Sequence, residues 1–140
     1  MKTRIALVAL LLLCVALTVS PVRADEGDIA VGSTLMFKIR VAADGKTIQE
    51  RVDQVNERLP DILAAKKIKS SDIKAVPVDK KKDSNINIMV KDHLLVTVTP
   101  EDGKANGFTV KKQAEEWIKS LRKTLPKVNA KPNPNDKTGK

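Results

Sequence analysis

Residues 85–99 read NINIMVKDHLLVTVT, two runs of alternating apolar and polar residues joined by a short polar break. Alternation with a period of two is the mark of a half-buried strand, and two such runs in tandem make an antiparallel hairpin. Its register follows from the pattern. A two-residue loop opposes Met89 to Leu94 and Asn87 to Val96, which mixes apolar with polar. A three-residue loop, Lys91-Asp92-His93, opposes Val90 to Leu94, Ile88 to Val96 and Ile86 to Val98 and keeps one face wholly apolar. A one-residue slip moves every side chain to the other face, so the sequence favours the longer loop.

Outward from the hairpin, Asp72 to Asp79 reads as a weaker strand, and Pro77 places it at a sheet edge or strand end. Thr34 to Val41 alternates, with Leu35, Phe37, Ile39 and Val41 assigned to the buried face and Met36, Lys38 and Arg40 to the other. Between these strands, Thr47-Ile48-Gln49-Glu50 has the form of a capping box. Ile48, Val52, Val55, Leu59, Ile62 and Leu63 then recur at helical spacing through about Lys67. Pro60 falls inside that stripe and predicts a kink or break near Asn56–Leu59.

Beyond the hairpin, Thr99-Pro100-Glu101-Asp102 starts a short helical turn that Asn106-Gly107 ends. Thr109 caps a second long helix with the stripe Val110, Ala114, Trp117, Ile118, Leu121 and Leu125, which Pro126 is expected to stop. The order β-α-β-β-β-α predicts an α+β fold: a single small sheet of about four strands, with two amphipathic helices on one face. Phe37, Leu59, Ile88, Val96 and Trp117 belong at its centre.

The N-terminus has a different character. Lys2 and Arg4 precede an apolar run from Ile5 to Val19, and Val22 and Ala24 stand at −3 and −1 of a small-residue cleavage site. Residues 1–24 therefore read as a cleavable signal peptide, 25–30 as a flexible lead-in, 31–126 as the α+β domain and 127–140 as a disordered basic tail. The apolar run is shorter than the roughly 20 residues that span a bilayer. Cys14 follows Leu13, which does not suit lipid attachment, so it leaves with the leader. The mature chain then has no cysteine and no Asn-x-Ser/Thr site, a combination that fits the bacterial envelope and a periplasmic or extracellular location.

Charge excludes one class of partner. The chain is +9; Lys2, Arg4 and Arg23 account for three of those charges, and four Lys against one Asp in the last fifteen residues leave the domain itself only mildly basic. That is not the dense positive field of a nucleic-acid binder, and no aromatic residue stands beside the lysine runs at 66–69, 80–82 and 111–112 to stack on bases. Weak attraction to an anionic polymer or lipid is the physically reasonable reading of those runs.

Catalytic chemistry finds no foothold in the pattern. His93 is the only histidine, sits beside Asp92 in a loop, and reads as a solvated turn residue. Zinc needs Cys and His clusters, and the acidic pairs lack the alternating spacing of a calcium loop. Glu101 and Asp102 stand in a first helical turn, where acids offset the helix dipole. The sequence calls for no enzyme, no metal and no cofactor. It offers instead one candidate binding surface, the sheet face away from the helices, made of Asn85, Asn87, Thr97 and Thr99 with Lys38 and Arg40 from the neighbouring strand.

Several stretches in order carry a resemblance: Val31-Gly32 with Leu35-x-Phe37-x-Ile39, then Glu57-Arg58-Leu59, Asn85-x-Asn87-Ile88, Leu94-Leu95-x-Thr97-Val98-Thr99-x-x-Asp102, and Ala114-Glu115-Glu116-Trp117 with Leu121 and Leu125. Over about Val31 to Leu125 the chain resembles the extracytoplasmic N-terminal domain of some bacterial mechanosensitive-channel-type proteins. The resemblance implies a periplasmic sensing or interaction module whose partner is an envelope or membrane protein. A polar tail stands where those proteins continue into membrane helices, so it implies no pore and transfers no catalytic residue. A non-enzymatic envelope module is thus the leading reading. A small-ligand or polyanion binder is second, and a hydrolase with scattered carboxylates last.

Overall fold

The hairpin at the centre forms, and its turn solves the register conflict in a way the alternation did not anticipate. In the computed structural model, which describes residues 26–130, strands β4 (Ile86–Val90) and β5 (His93–Val98) pair antiparallel. The connection is the two-residue loop Lys91-Asp92, so Val90 faces His93 and Met89 faces Leu94. A bulge then absorbs one residue, and Ile88 meets Val96 and Ile86 meets Val98 as the apolar pattern demands. The extra residue is Leu95, which turns inward beside Val96, the two being 0% and 3% exposed. The three-residue loop is thereby corrected: the pairs Ile88–Val96 and Ile86–Val98 form through a short turn plus a bulge, while the expected Val90–Leu94 pair does not.

Strand β3 (Ile73–Pro77) adds to β4, giving a three-stranded antiparallel sheet in the order β3-β4-β5 with β3 at the edge. A second, two-stranded sheet stands apart. It pairs β1 (Asp28–Val31) with β2 (Thr34–Lys38). The fold is α+β as the sequence predicts, but five strands divide between two sheets where one sheet of about four was expected. The lead-in is likewise corrected, since from Asp28 onward it is strand. Ile29 is fully buried, and Gly27, at φ +97°, accepts from the Ile39 amide at 2.8 Å. A Cβ at Gly27 would stand 1.8 Å from the Ile39 carbonyl oxygen, so only glycine fits this entry into the sheet.

Helix α1 (Ile48–Ala64) begins with the expected capping box: the Glu50 amide donates to Thr47 Oγ1 at 3.1 Å and the Thr47 amide to Glu50 Oε2 at 2.7 Å. These bonds from Thr47 hold the Glu50 carboxyl below the usual carboxylate range. Pro60 does not interrupt the helix. Its missing N–H would have bonded Asn56, and both residues lie on the exposed face, so the freed carbonyl is not sealed in the core. After α1 a 3-10 turn at Ser70–Asp72 leads into β3.

Helix α2 (Pro100–Ala105) is the short turn capped by Thr99, and α3 (Val110–Asn129) carries the second apolar stripe. Pro126 does not stop α3. The Arg122 carbonyl that loses its partner to Pro126 accepts instead from Ser70 Oγ at 3.1 Å, and the helix runs on to Asn129. There the Asn129 side chain accepts from the Ile68 amide at 2.9 Å and donates to the carbonyls of Leu63 at 3.0 Å and Ala65 at 3.2 Å. Residues 127–129, expected in a disordered tail, are thus helical and close the end of α1. The leader 1–24, Cys14 and the tail beyond 130 lie outside the described residues.

One core joins both sheets. α3 packs on β2 and on β3, β4 and β5, while α1 packs on β5 and β1. Phe37, Leu59, Ile88, Val96 and Trp117 are all buried in it, and the Phe37 and Trp117 rings meet at 4.7 Å between centroids. Inside this apolar setting lies an ion pair. Arg51, 6% exposed, holds Asp102, 1% exposed, with two bonds of 2.9 and 2.7 Å, and also donates to the carbonyls of Val41 at 2.7 Å and Thr97 at 3.2 Å.

Removing Asp102 strands a buried guanidinium, so Asp102→Ala is expected to cost about 3–5 kcal/mol in urea unfolding. Asn129→Ala is expected to cost about 1–3 kcal/mol, whereas a disordered tail would give no change. Because the folded value of Glu50 lies below its unfolded one, its contribution is complete above about pH 4.3 and is lost as pH falls through the lowered value. The Tm of Glu50→Gln should therefore fall less on acidification than that of the unaltered chain.

Candidate binding cleft between β2 and α3

Strand β2 alternates only in part. A bulge leaves Met36 without a partner, since Ile29 pairs with Phe37 and Ala30 with Leu35. Met36 and Phe37 therefore both turn inward, 1% and 5% exposed, while Leu35 is 53% exposed at the rim. This corrects the expected faces: Leu35 is out and Met36 is in. The Met36 carbonyl accepts from Ser120 Oγ, which ties β2 to α3.

Around that tie, β2 and α3 line a cleft of about 270 Å³. Its strand side carries Leu35, Phe37, Lys38 and Arg40, and its helix side carries Gln113, Trp117 and Ser120. On α3 these three recur at intervals of four and three residues and so share one face. Lys38 pairs with Asp28 at 3.3 Å. Arg40 is exposed and makes no ion pair with the described residues.

Gln113 is the informative side chain. It is 3% exposed, and its carboxamide oxygen is buried with no hydrogen-bond partner among the described residues. An acceptor taken out of water and left unmatched costs about 1–3 kcal/mol, so such groups are rare in folded proteins and call for a reason. On the outer surface of the same helix, Lys112 and Glu116 form a pair at 2.9 Å; the mutual bond raises the lysine and lowers the glutamate relative to their ordinary values.

The six residues proposed from the sequence divide between places. Lys38 and Arg40 line this cleft and belong to the two-stranded sheet side. Asn85, Asn87 and Thr97 lie along the outer face of the three-stranded sheet, where Thr97 Oγ1 donates to Asn87 Oδ1 at 2.8 Å and Asn85 Nδ2 to Asp44 Oδ2 at 3.1 Å. Thr99 is no surface residue: 1% exposed, it caps α2 and donates through Oγ1 to Asp102 Oδ2 at 3.1 Å. Nor is His93 in a loop. It is the exposed first residue of β5.

Two other hollows are less specific. A groove of about 580 Å³ between β3 and α3 has Ala75, Pro77, Ile86 and Val110 against the exposed Lys81, Lys82 and Lys111. A smaller hollow of about 160 Å³ beside Arg51 and Arg58 is lined by guanidinium groups already bonded to carbonyls of Val41, Thr97 and Leu95. Among the described residues no group of three or more His, Cys, Asp or Glu could hold a metal ion, and no helix is long and apolar enough to cross a membrane.

Two residues that matter here escaped the sequence reading, and for one reason. Gln113 and Arg51 each sit inside an apolar stripe, one residue before Ala114 and Val52 respectively. A polar residue within such a stripe is the signal that could have found them.

The architecture is that of a small α+β domain in which helices bridge two antiparallel sheets. Residues 28–127 match the family described as Domain of unknown function (DUF8459), and the chain belongs to that family. The match begins at the first residue of β1 and runs into the last turn of α3, so it takes in both walls of the cleft. No curated protein and no solved structure matches the chain.

If the Gln113 oxygen is unmatched in the free protein, Gln113→Leu removes the mismatch while nearly keeping the volume. It is expected to leave the urea midpoint unchanged or raise it; a loss above about 1 kcal/mol would mean that the carboxamide is satisfied within the fold.

Proposed function

We propose that the protein is a non-enzymatic interaction or sensing module of the bacterial cell envelope, exported through its 1–24 leader and acting by binding in the β2–α3 cleft. The observation that carries the reading is a cleft with the exposed Arg40, which makes no ion pair with the described residues, at one side and Gln113, whose buried carboxamide oxygen has no partner among the described residues, at the other. A protein selected for stability alone gains nothing from either; a binding site gains from both. The export reading rests on the charged n-region, the apolar run and the Val22/Ala24 site. The sequence resemblance to extracytoplasmic channel domains adds a membrane protein as the favoured kind of partner.

A second reading draws on the groove between β3 and α3. Three ammonium groups against an apolar floor suit an anionic polymer or lipid surface, whose attraction fades with salt.

Affinity capture of the tagged protein from crosslinked envelope fractions separates the two. Arg40→Glu, at an exposed residue that makes no ion pair with the described residues, should abolish capture of a discrete protein partner while leaving the urea midpoint nearly unchanged, and Lys38→Glu should add to the loss of capture. Capture unaffected by both substitutions but lost in Lys81→Glu with Lys82→Glu, and lost at high salt, would replace the first reading with the second.

A further inference from the structure

The outer edge of β3 is closed except at one place. In the ladder to β4, the Lys91 amide donates to the Asp72 carbonyl at 2.8 Å and the Val78 amide to the Asn85 carbonyl at 2.9 Å. Backbone groups alternate along an antiparallel strand, so Ile73, Ala75 and Pro77 turn theirs away from β4. Arg122 takes the Ile73 carbonyl at 2.9 Å, and Pro77 has no N–H to offer. The outward amide and carbonyl of Ala75 bond to none of the described residues, and Ala75 is exposed. One complete donor–acceptor pair therefore stands open, with the Pro77 carbonyl beside it.

Beside that pair runs a trough walled by α3. The groove of about 580 Å³ and a hollow of about 390 Å³ share Ala75 in their walls. Val110 and Lys111 line the trough near Pro77; Ile118, Lys119 and Arg122 line it further along, to where Arg122 meets Ile73. From Val110 to Arg122 the helix rises about 18 Å, the length of about five residues of strand. On the other face of the same edge, Val76 and Val78 are 46% and 56% exposed, apolar surface that an added strand would cover.

Charge selects the occupant. Lys81, Lys82 and Lys111 stand at one end of the trough and Lys119 and Arg122 at the other, against one acidic residue at each. None of these cations makes an ion pair with the described residues. A second copy of β3 would bring Lys74 and the lysines at 80–82 against the same charges, and the segment 131–140 carries three Lys against one Asp, so both are repelled. A polyanion or a lipid headgroup answers the charges but brings no backbone N–H for the Ala75 carbonyl. We infer that the β3 edge receives, by strand addition, an extended acidic segment of a partner protein. Its backbone pairs with Ala75, its apolar side chains lie over Val110 and Ile118, and its acids meet the lysines. The inference is independent of the β2–α3 cleft and gives the second groove an occupant of its own.

The probe is the peptide fluorescein-Glu-Glu-Val-Thr-Val-Glu-Glu-amide, titrated with the full chain at low salt and read by anisotropy. A strand adds through one edge only. Methylating the peptide amides along one edge should weaken binding at least about tenfold, and along the other less than about twofold. Exchange of the Ala75 amide with solvent should slow about tenfold in the nearly saturated complex. Replacing the peptide's glutamates by lysines should abolish binding to the unaltered chain, while Lys111→Glu with Lys119→Glu should come to prefer the lysine peptide, a gain that misfolding cannot mimic. Equal effects of the two methylations, or an unchanged Ala75 exchange rate, would overturn strand addition; displacement of the peptide by polyphosphate or by phosphatidylglycerol vesicles would then give the groove to an anionic polymer or a lipid surface. No binding of the unmethylated peptide at up to about 1 mM would overturn the inference outright.

Discussion

Arg51 and Asp102 are separated by fifty-one residues in sequence and by a hydrogen bond in space, and the rest of the architecture is arranged around their contact. Arg51 comes from α1, Asp102 from α2, and the spare guanidinium hydrogens reach the Val41 carbonyl after β2 and the Thr97 carbonyl of β5. Asp102 in turn accepts from the Thr99 amide at 2.9 Å, which fixes the exit of β5. Four segments are pinned by one pair. Buried ion pairs add little net stability over apolar packing, but each imposes a geometry that apolar contacts do not. Here the geometry sets where α2 turns, and hence where α3 begins its path across both sheets.

A second constraint is the treatment of strand edges. Two small sheets present many unpaired carbonyls for their size, and side chains answer them. Arg58 and Arg51 reach Leu95 and Thr97 along β5, Arg122 reaches Ile73 on β3 at 2.9 Å, and Ser120 reaches Met36 on β2. On β3 the bonds of Asp72 and Val78 to the β4 side set the alternation, so Pro77 turns its missing N–H outward, where no ladder bond is lost. Donors from helices thus blunt edges that would otherwise pair with other chains. The Ser120 tie at β2 also lies in the wall of the cleft.

The elements legible in the sequence were those with strong local signals. The caps at Thr47, Thr99 and Thr109, the two helical stripes and the hairpin needed only spacing and residue type. The misreadings share a different cause. Leu95 and Met36 are the extra residues of bulges, and a strict period of two has no place for one residue too many. Pro126 looked like a stop because the serine that serves the freed carbonyl, Ser70, comes from another part of the chain. Asn129 gave no local sign of its partners at Leu63, Ala65 and Ile68, which only the tertiary fold supplies. The candidate site was half legible for the same reason. Lys38 and Arg40 were visible as exposed cations, but the wall they face, Gln113 and Trp117, comes from a helix seventy-odd residues later.

The position of α3 has a consequence for synthesis. It is the last described element, it packs on strands of both sheets, and its final residue bonds to the end of α1. Until that helix leaves the ribosome, β2, β3 and β4 lack the helix that packs on them, and the core cannot close. A domain closed from its far end remains slack while it is being made and tightens only once its closing segment has been delivered.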